Sequence, residues 1–266
     1  MSSPVEPPST AVVPVLPHVP TGRVRWRTAG LTLAVAAVLC LGAYAGTGLL
    51  VSAGVLAAAV LAWGWPALLA LPSPRGTKAV VAGGGALTVL AVGLARDEPL
   101  LQWLSLAVAA AVVAEFVHQL GRRDGRPRVV ESSTGVLVGV TLTASMSTVL
   151  ALPLTPNGAA GVVVALAPVA LALSLQLLPF PARISAGIGT VAALLVGGLL
   201  GGLLDGPTLS AGAVSGVLGA VVALMVHRLL SVQAAAGWAP GWLALAVAPL
   251  ASSGVVAYVV LRLLAG

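Results

Sequence analysis

Charge is scarce in this sequence: only 8% of its 266 residues are Asp, Glu, Lys or Arg, while 59% are hydrophobic. A soluble domain usually carries about a quarter charged residues, because its surface must face water. So few charges cannot cover such a surface, which excludes a soluble globular domain and predicts that lipid is the main solvent. The length admits roughly ten membrane-crossing helices of about 20 residues each and leaves no room for a folded domain outside the membrane.

Cysteine and histidine are nearly missing as well. The one cysteine, Cys40, excludes an internal disulfide and a cysteine metal site. Histidines 18, 118 and 227 are too dispersed along the chain to suggest a metal centre. The sequence has no Gly-Lys-Ser/Thr phosphate loop, and its one dinucleotide-like glycine pattern, at 187–192, lies in an apolar run without a preceding strand. We therefore expect no metal and no cofactor, and the sequence favours a function that is not enzymatic.

The first 22 residues differ from the rest in composition. They are rich in Pro, Ser and Thr and contain no apolar face that could pack on a core. Proline in particular cannot continue a helix, and a polar segment of this kind does not bury enough surface to fold. The sequence predicts a disordered cytoplasmic tail over residues 1–22, followed by a transmembrane helical domain over residues 23–266.

Nine apolar runs follow the tail, separated by Gly, Pro or charged residues. We expect an all-α transmembrane bundle with spans at 28–46, 48–71, 79–95, 100–120, 129–151, 158–178, 185–204, 209–230 and 241–264. The first two spans form one uncharged run, which is about twice as long as a bilayer is thick when helical. We divide it near Gly46-Thr47-Gly48.

The distribution of basic residues predicts the orientation. With the tail inside, only Arg96 and Arg262 fall on the outer side, and eleven basic residues fall on the inner side. Lys and Arg are enriched in cytoplasmic loops, so this asymmetry places the amino terminus in the cytoplasm and the chain in the cell's inner (plasma) membrane. The inner basic residues are Arg23, Arg25, Arg27, Arg75, Lys78, Arg122, Arg123, Arg126, Arg128, Arg183 and Arg228. They are not interleaved with aromatic residues, so nucleic acid is not an expected partner.

Ionisable residues concentrate at this inner face. Glu115, His118 and Gln119 lie three and four residues apart near the end of span 4, hence on one side of a helix. Because charge is costly inside a membrane, we interpret them as part of a substrate-binding site in which arginines grip an anionic group. The candidate residues are Glu115, His118, Arg122, Arg123, Arg126, Arg128, Glu131, Arg183, His227 and Arg228. The alternative is that Glu115 reaches interfacial water and the arginines only set the orientation.

Two further patterns concern packing. Thr134, Thr141, Ser145 and Thr148 form a polar stripe along span 5. The stripe either lines a water path or bonds to helix backbones, and we favour packing. Glycines four residues apart, such as Gly197/Gly201 and Gly212/Gly216, would let helix backbones approach closely. Prolines within spans 2, 6 and 9 favour kinks.

The stretch EFVHQLGRRDGRPRVVESSTG, residues 115–135, resembles one found in uncharacterised polytopic membrane proteins of high-GC bacteria. The resemblance covers about 20 residues of the chain. It implies a multi-pass membrane fold and brings no activity with it.

Three functions are compatible with these features. The leading one is a permease, or a transporter subunit, for a small or lipid-like solute, indicated by the polar stripe, the prolines, the glycine-rich helices and the ionisable inner face. The second is a non-transporting scaffold that binds a membrane protein partner through its arginine loop and its tail. The third is a membrane enzyme acting on a phosphorylated lipid. The expected partners are the lipid bilayer and an anionic lipid headgroup or small solute.

Overall fold

The computed structural model describes residues 22–123, 125, 127–237 and 239–264, and within them it is a bundle of α-helices without strands. The helices are α1 (Gly22–Ala45), α2 (Thr47–Leu68), α3 (Pro74–Gly93), α4 (Leu104–Gly121), α5 (Val129–Thr148), α6 (Gly158–Ser174), α7 (Ala182–Leu203), α8 (Leu209–Ser231), α9 (Gly241–Ser252) and α10 (Gly254–Leu264). Short 3-10 turns follow α5 (Val149–Leu154) and α6 (Leu175–Leu177) and precede α9 (Ala234–Gly237). The predicted tail lies outside the described residues, apart from Gly22.

The described residues contain nine segments that are long and apolar enough to cross a membrane, and the predicted all-α bundle of about nine spans is confirmed. Helices α9 and α10 together form the last of these segments. The chain is a multi-pass integral membrane protein. Its outward faces carry many exposed leucine and valine side chains, which a bilayer would cover.

Glycine and proline set the helix ends. Gly46, at a φ of 121°, separates α1 from α2 at the predicted break, because this backbone conformation is open to glycine and strained for other residues. Pro74 is the first residue of α3, so this helix begins five residues before the predicted start at 79. Proline suits the first helical position, where no backbone N–H is needed. Helix α4 begins at Leu104, after a cis Glu98–Pro99 bond and a turn, instead of at 100.

Helices α5, α6 and the α9–α10 pair form the buried centre of the bundle, while α4 and α7 lie at its periphery. Helix α4 packs on α3 and α5, and α7 packs on α6 and α8. The predicted glycine contacts join α7 to α8. A methyl group on Gly201 would lie 3.1 Å from Cα of Gly212, and one on Gly197 would lie 3.3 Å from Cα of Gly216. Small residues thus allow backbone contact between these two helices.

The ninth span is interrupted at Ser253, between α9 and α10. One side chain of α5 replaces part of the missing helical hydrogen bonding. The Ser145 hydroxyl donates to the carbonyl of Ser252 at 3.2 Å and accepts from the backbone N–H of Val255 at 3.1 Å. The break is therefore fixed against a central helix.

One end of the bundle, which we call the basic end, is where α1, α3, α5, α7 and α9 begin. Side chains there connect neighbouring segments: Arg128 donates to the carbonyl of Ala70 at 3.0 Å. At the opposite end Arg262 forms an ion pair with Glu98, with 2.7 Å between Nη1 and Oε1. The helices thus alternate in direction as the distribution of basic residues predicts, and the basic end is the predicted cytoplasmic face.

Candidate functional site

A cavity of about 320 Å³ opens at the basic end between α1, α6, α7, α8 and α9. Its volume lies near the lower end of the range of small-molecule sites. Residues of six segments line it: Arg25, Thr28, Ala29 and Thr32 of α1, Leu173 of α6, Gln176, Leu177 and Phe180 of the following connection, Ala182 and Ser185 of α7, His227, Arg228 and Ser231 of α8, and Leu245 of α9.

Two arginines stand on the polar side of this cavity. Arg25 donates to the backbone carbonyl of Gln176, after α6, and Arg228 donates to the backbone carbonyl of Ala182, the first residue of α7. No carboxylate lines the cavity, and within the described part of the chain neither arginine forms an ion pair. The cavity therefore carries two positive charges that the surrounding side chains do not neutralise.

Further polar groups complete the polar side. The His227 imidazole lines the cavity together with the two arginines. Thr32 is buried and donates to the carbonyl of Ala246 at 2.8 Å, which fixes α1 against α9. Ser185 is also buried, with its hydroxyl 3.4 Å from the carbonyl of Phe180. These contacts hold the walls of the cavity in place.

The rest of the lining is apolar. Leu173 and Leu245 are buried, whereas Phe180 is half exposed at the mouth. A guanidinium group binds phosphate or carboxylate oxygens through charge-assisted hydrogen bonds, and an apolar wall accommodates hydrocarbon. The arrangement suits a molecule that has an anionic group and an apolar portion.

A second polar group lies between α3, α4 and α5. Glu115 has 1% of its surface exposed, and its Oε1 accepts a hydrogen bond from Nε2 of Gln119. The same amide nitrogen lies 3.1 Å from the hydroxyl of Ser132 on α5. Arg122 is buried and donates to Oε1 of Gln119 at 2.9 Å and to the carbonyl of Pro127 at 3.3 Å. Glu115 is thus inside the bundle, linked through Gln119 to Arg122, and does not extend to the interface.

His118 lies at the edge of this group. Its ring packs on Gly76 of α3, where any larger residue would overlap it. The ring also lines an open hollow at the basic end, together with Ser73, Gly121, Arg122 and Arg123. Its Nε2 is buried and has no hydrogen-bond partner among the described residues.

The remaining candidates do not join either group. Arg128 pairs with Glu131 three residues later, and both side chains are exposed. Arg183 is exposed and does not line the cavity, although it follows Ala182 directly. Arg126 lies outside the described residues. The structure thus divides the predicted inner-face residues into a cavity with His227 and Arg228 and a buried layer with Glu115 and Arg122.

The polar stripe of α5 is divided as well. Thr134 and Thr141 are exposed on the outside of the bundle, and Thr141 bonds back to the carbonyl of Leu137 at 2.9 Å. Thr148 bonds back to the carbonyl of Ser145 at 2.7 Å. None of the four lines the basic-end cavity. Ser145 alone is bonded to another helix, at the break of span 9.

The sequence interpretation missed several cavity residues. It treated Arg25 only as an orientation signal and did not consider Thr28, Thr32 or Gln176. The spacing of Arg25, Thr28 and Thr32 at three and four residues was an available signal, since it places all three on one side of α1. The neighbours of that side were not readable from the sequence.

Comparison with models of protein families, with curated proteins and with solved structures finds no match to this chain. The resemblance of residues 115–135 to membrane proteins of high-GC bacteria therefore remains a prediction.

Proposed function

We propose that this membrane protein is a permease for a small or lipid-like solute that carries an anionic group, and that the solute binds in the basic-end cavity. The observation that carries the proposal is the pair Arg25 and Arg228 on one side of a 320 Å³ cavity whose other side is apolar. Both arginines are exposed at the end of the bundle, and neither pairs with a carboxylate among the described residues, so an anionic ligand can supply acceptors for their N–H groups.

The apolar wall favours a lipid-like solute over a free inorganic anion. Leu177 and Phe180, which are partly exposed, would remain in contact with water if only a small hydrated anion entered. An acyl or other hydrocarbon portion would cover them and gain about 25 cal/mol for each Å² of apolar surface removed from water. The headgroup would then lie between the two guanidinium groups.

The interrupted ninth span supports transport in addition to binding. Helix α9 contributes Leu245 to the cavity wall and ends at Ser252, part of the way across the span. Discontinuous helices adjoin the binding sites of many secondary transporters, because a break lets one half of a helix move relative to the other. Movement of α9 about the break at Ser253 would change the cavity that it lines.

Transbilayer movement of labelled lipids tests this function. The protein is reconstituted into liposomes that contain a fluorescent phosphatidic acid or a phosphatidylcholine with the same acyl chains. Loss of fluorescence on addition of an impermeant quencher reports the movement between leaflets. We expect faster movement of the anionic probe, and a loss of at least about tenfold in the double variant Arg25→Gln/Arg228→Gln, since each charge-assisted hydrogen bond contributes about 1.5–3 kcal/mol.

Arg183→Gln is the matched control, because it removes one positive charge at the same end from a residue that does not line the cavity. It should leave the rate for the anionic probe close to that of the unmodified protein. A parallel uptake assay with inorganic phosphate distinguishes a lipid-like solute from a free anion. Equal rates for the anionic and zwitterionic lipids, unchanged in the double variant and without phosphate uptake, would contradict the proposed function.

A further inference from the structure

The buried layer between α3, α4 and α5 is not used by the proposed solute site, and it contains unsatisfied polar atoms. Oε1 of Glu115 accepts a hydrogen bond from Gln119, but Oε2 is buried without a hydrogen-bond partner in the described part of the chain. A carboxylate has about four acceptor positions, and an unmet one in a buried site costs about 1–3 kcal/mol or more. The described side chains therefore leave Oε2 available to a further group.

Thr77 of α3 belongs to the same layer. Its side chain is fully buried, and its hydroxyl also lacks a partner among the described residues. Two turns further along α3, a methyl group on Gly84 would lie 2.8 Å from Cβ of Ala111 on α4. Since α3 and α4 are antiparallel, moving two turns back towards the basic end brings Thr77 level with His118, about one turn from Glu115. The contact of Gly76 with the His118 ring agrees with this register.

The charged groups around the layer are few. His118 lies on α4 and Arg122 directly follows it, and Arg122 is engaged by Gln119 and by the carbonyl of Pro127. On α3, Arg75 is exposed and Lys78 lies over the ring of Trp63, 4.0 Å from its centroid. On α5, Arg128 and Glu131 are exposed and pair with each other. Within the described residues, no second carboxylate faces Glu115, so the layer offers one acidic group and no set of ligands for a divalent metal ion.

We propose that Glu115 is a proton-binding carboxyl group, loaded from the basic end through the hollow that His118 lines. The two oxygens of Glu115 are already distinguished by their contacts. Oε1 can keep its hydrogen bond from Gln119 whether or not the group is protonated, because a carbonyl oxygen also accepts. The proton therefore binds to Oε2, the oxygen without a partner among the described residues, and forms an O–H bond there. Its donor is a hydronium ion or buffer acid in the solution, which is left as its conjugate base.

His118 is the side chain between this layer and the solution. It lies three residues from Glu115, on the same side of α4, and its ring reaches both the packed surface of α3 and the open hollow. An imidazole can accept a proton on one nitrogen and release one from the other, which suits a relay across such a boundary. In a permease, this would make the proton the coupling ion, but proton binding itself does not depend on the proposed solute function.

Infrared difference spectroscopy on the full-length protein in lipid tests the proposal directly. Spectra are recorded as the pH is lowered from alkaline to acid, and the carbonyl stretching band of protonated carboxyl groups is followed. We expect one band, at higher frequency than those of solvated carboxyl groups, that is lost in Glu115→Gln and retained in the matched control Glu131→Gln. His118→Ala should slow the appearance of that band after a pH jump.

A role limited to helix packing would leave no such band to shift. If no band differs between the unmodified protein and Glu115→Gln at any pH, the proposal is overturned. If the glutamine variant does not fold, Glu115→Asp keeps the acid but shortens the side chain, and it must then move the band. A band that stays in place in Glu115→Asp would also overturn the assignment. None of these results depends on whether a lipid-like solute is transported.

Discussion

The contact between α2 and α9 allows a quantitative prediction for Gly64→Ala. A methyl group at this position would lie 2.6 Å from the backbone nitrogen of Ala244 and 2.7 Å from the backbone carbonyl oxygen of Pro240. An ordinary contact needs at least 3.4 Å, so the two backbones would have to separate by about 0.8 Å. Neither atom belongs to a flexible side chain, and α9 as a whole must therefore shift.

The cost of such overpacking is about 1–3 kcal/mol. Alanine regains about 0.8–1 kcal/mol over glycine in a helix interior, so we expect Gly64→Ala to lower the free energy of unfolding by roughly 0–2 kcal/mol. Unfolding in mixed micelles of increasing SDS content, followed by tryptophan fluorescence, measures this quantity. The matched control is Gly83→Ala in α3, where a methyl group meets nothing within 4 Å. It should be neutral or slightly stabilising, and equal stability of the two variants would refute the close approach of α2 and α9.

Three further predictions concern other parts of the bundle. Ser145→Ala should lower the free energy of unfolding by about 1–3 kcal/mol, because two backbone groups at the break of span 9 lose their partner. The control Ser52→Ala, at an exposed position, should change it by less than about 0.5 kcal/mol. Equal effects of the two variants would contradict the role of Ser145 at the break. Trp65→Phe should cost about 1–3 kcal/mol in the same assay, since the buried indole N–H donates to an α5 carbonyl at 2.7 Å, and an unchanged stability would count against that bond. A cysteine at position 123 should react with an impermeant maleimide only from the cytoplasm and one at position 97 only from outside; the reverse pattern would overturn the orientation.

The spans could be predicted because hydropathy reports a local property, the transfer of each segment into lipid. Nine apolar runs correspond to nine spanning segments, including the division of residues 28–71 at Gly46. The predicted ends of the spans were less accurate where a proline determines the residue at which a helix begins. The start of α3 at Pro74 depends on the fit of proline to the first helical position, which hydropathy does not register.

The glycine pairs of α7 and α8 were predictable for a related reason. These helices are neighbours in the chain and form an antiparallel hairpin, so the four-residue spacing of Gly197/Gly201 and Gly212/Gly216 places small residues opposite each other. By contrast, nothing in the spacing around Gly64 indicates its contact with α9. The two helices are distant in sequence, and their contact follows from the arrangement of the whole bundle.

The candidate site was predictable only in part, again because helix neighbours are not encoded in local patterns. The inner-face residues Glu115, His227 and Arg228 all lie towards the basic end, as the alternation of spans requires. Which of them meet depends on packing: α4 lies on α3 and α5, whereas α8 lies on α6, α7 and α9. The cavity gathers side chains from segments up to 220 residues apart, from Arg25 to Leu245, and no periodicity links such positions.

The most direct test of the central claim, that the basic-end cavity binds an anionic amphiphile, is lipid binding by the purified protein in native mass spectrometry. Phosphatidic acid and phosphatidylcholine with identical acyl chains are compared for the unmodified protein, for Arg25→Gln/Arg228→Gln and for the control Arg183→Gln. We predict a preference for phosphatidic acid of at least about tenfold in the unmodified protein and in Arg183→Gln, and loss of that preference in the double variant. The same weak binding of both lipids to all three proteins, or a preference that survives in the double variant, would contradict the account.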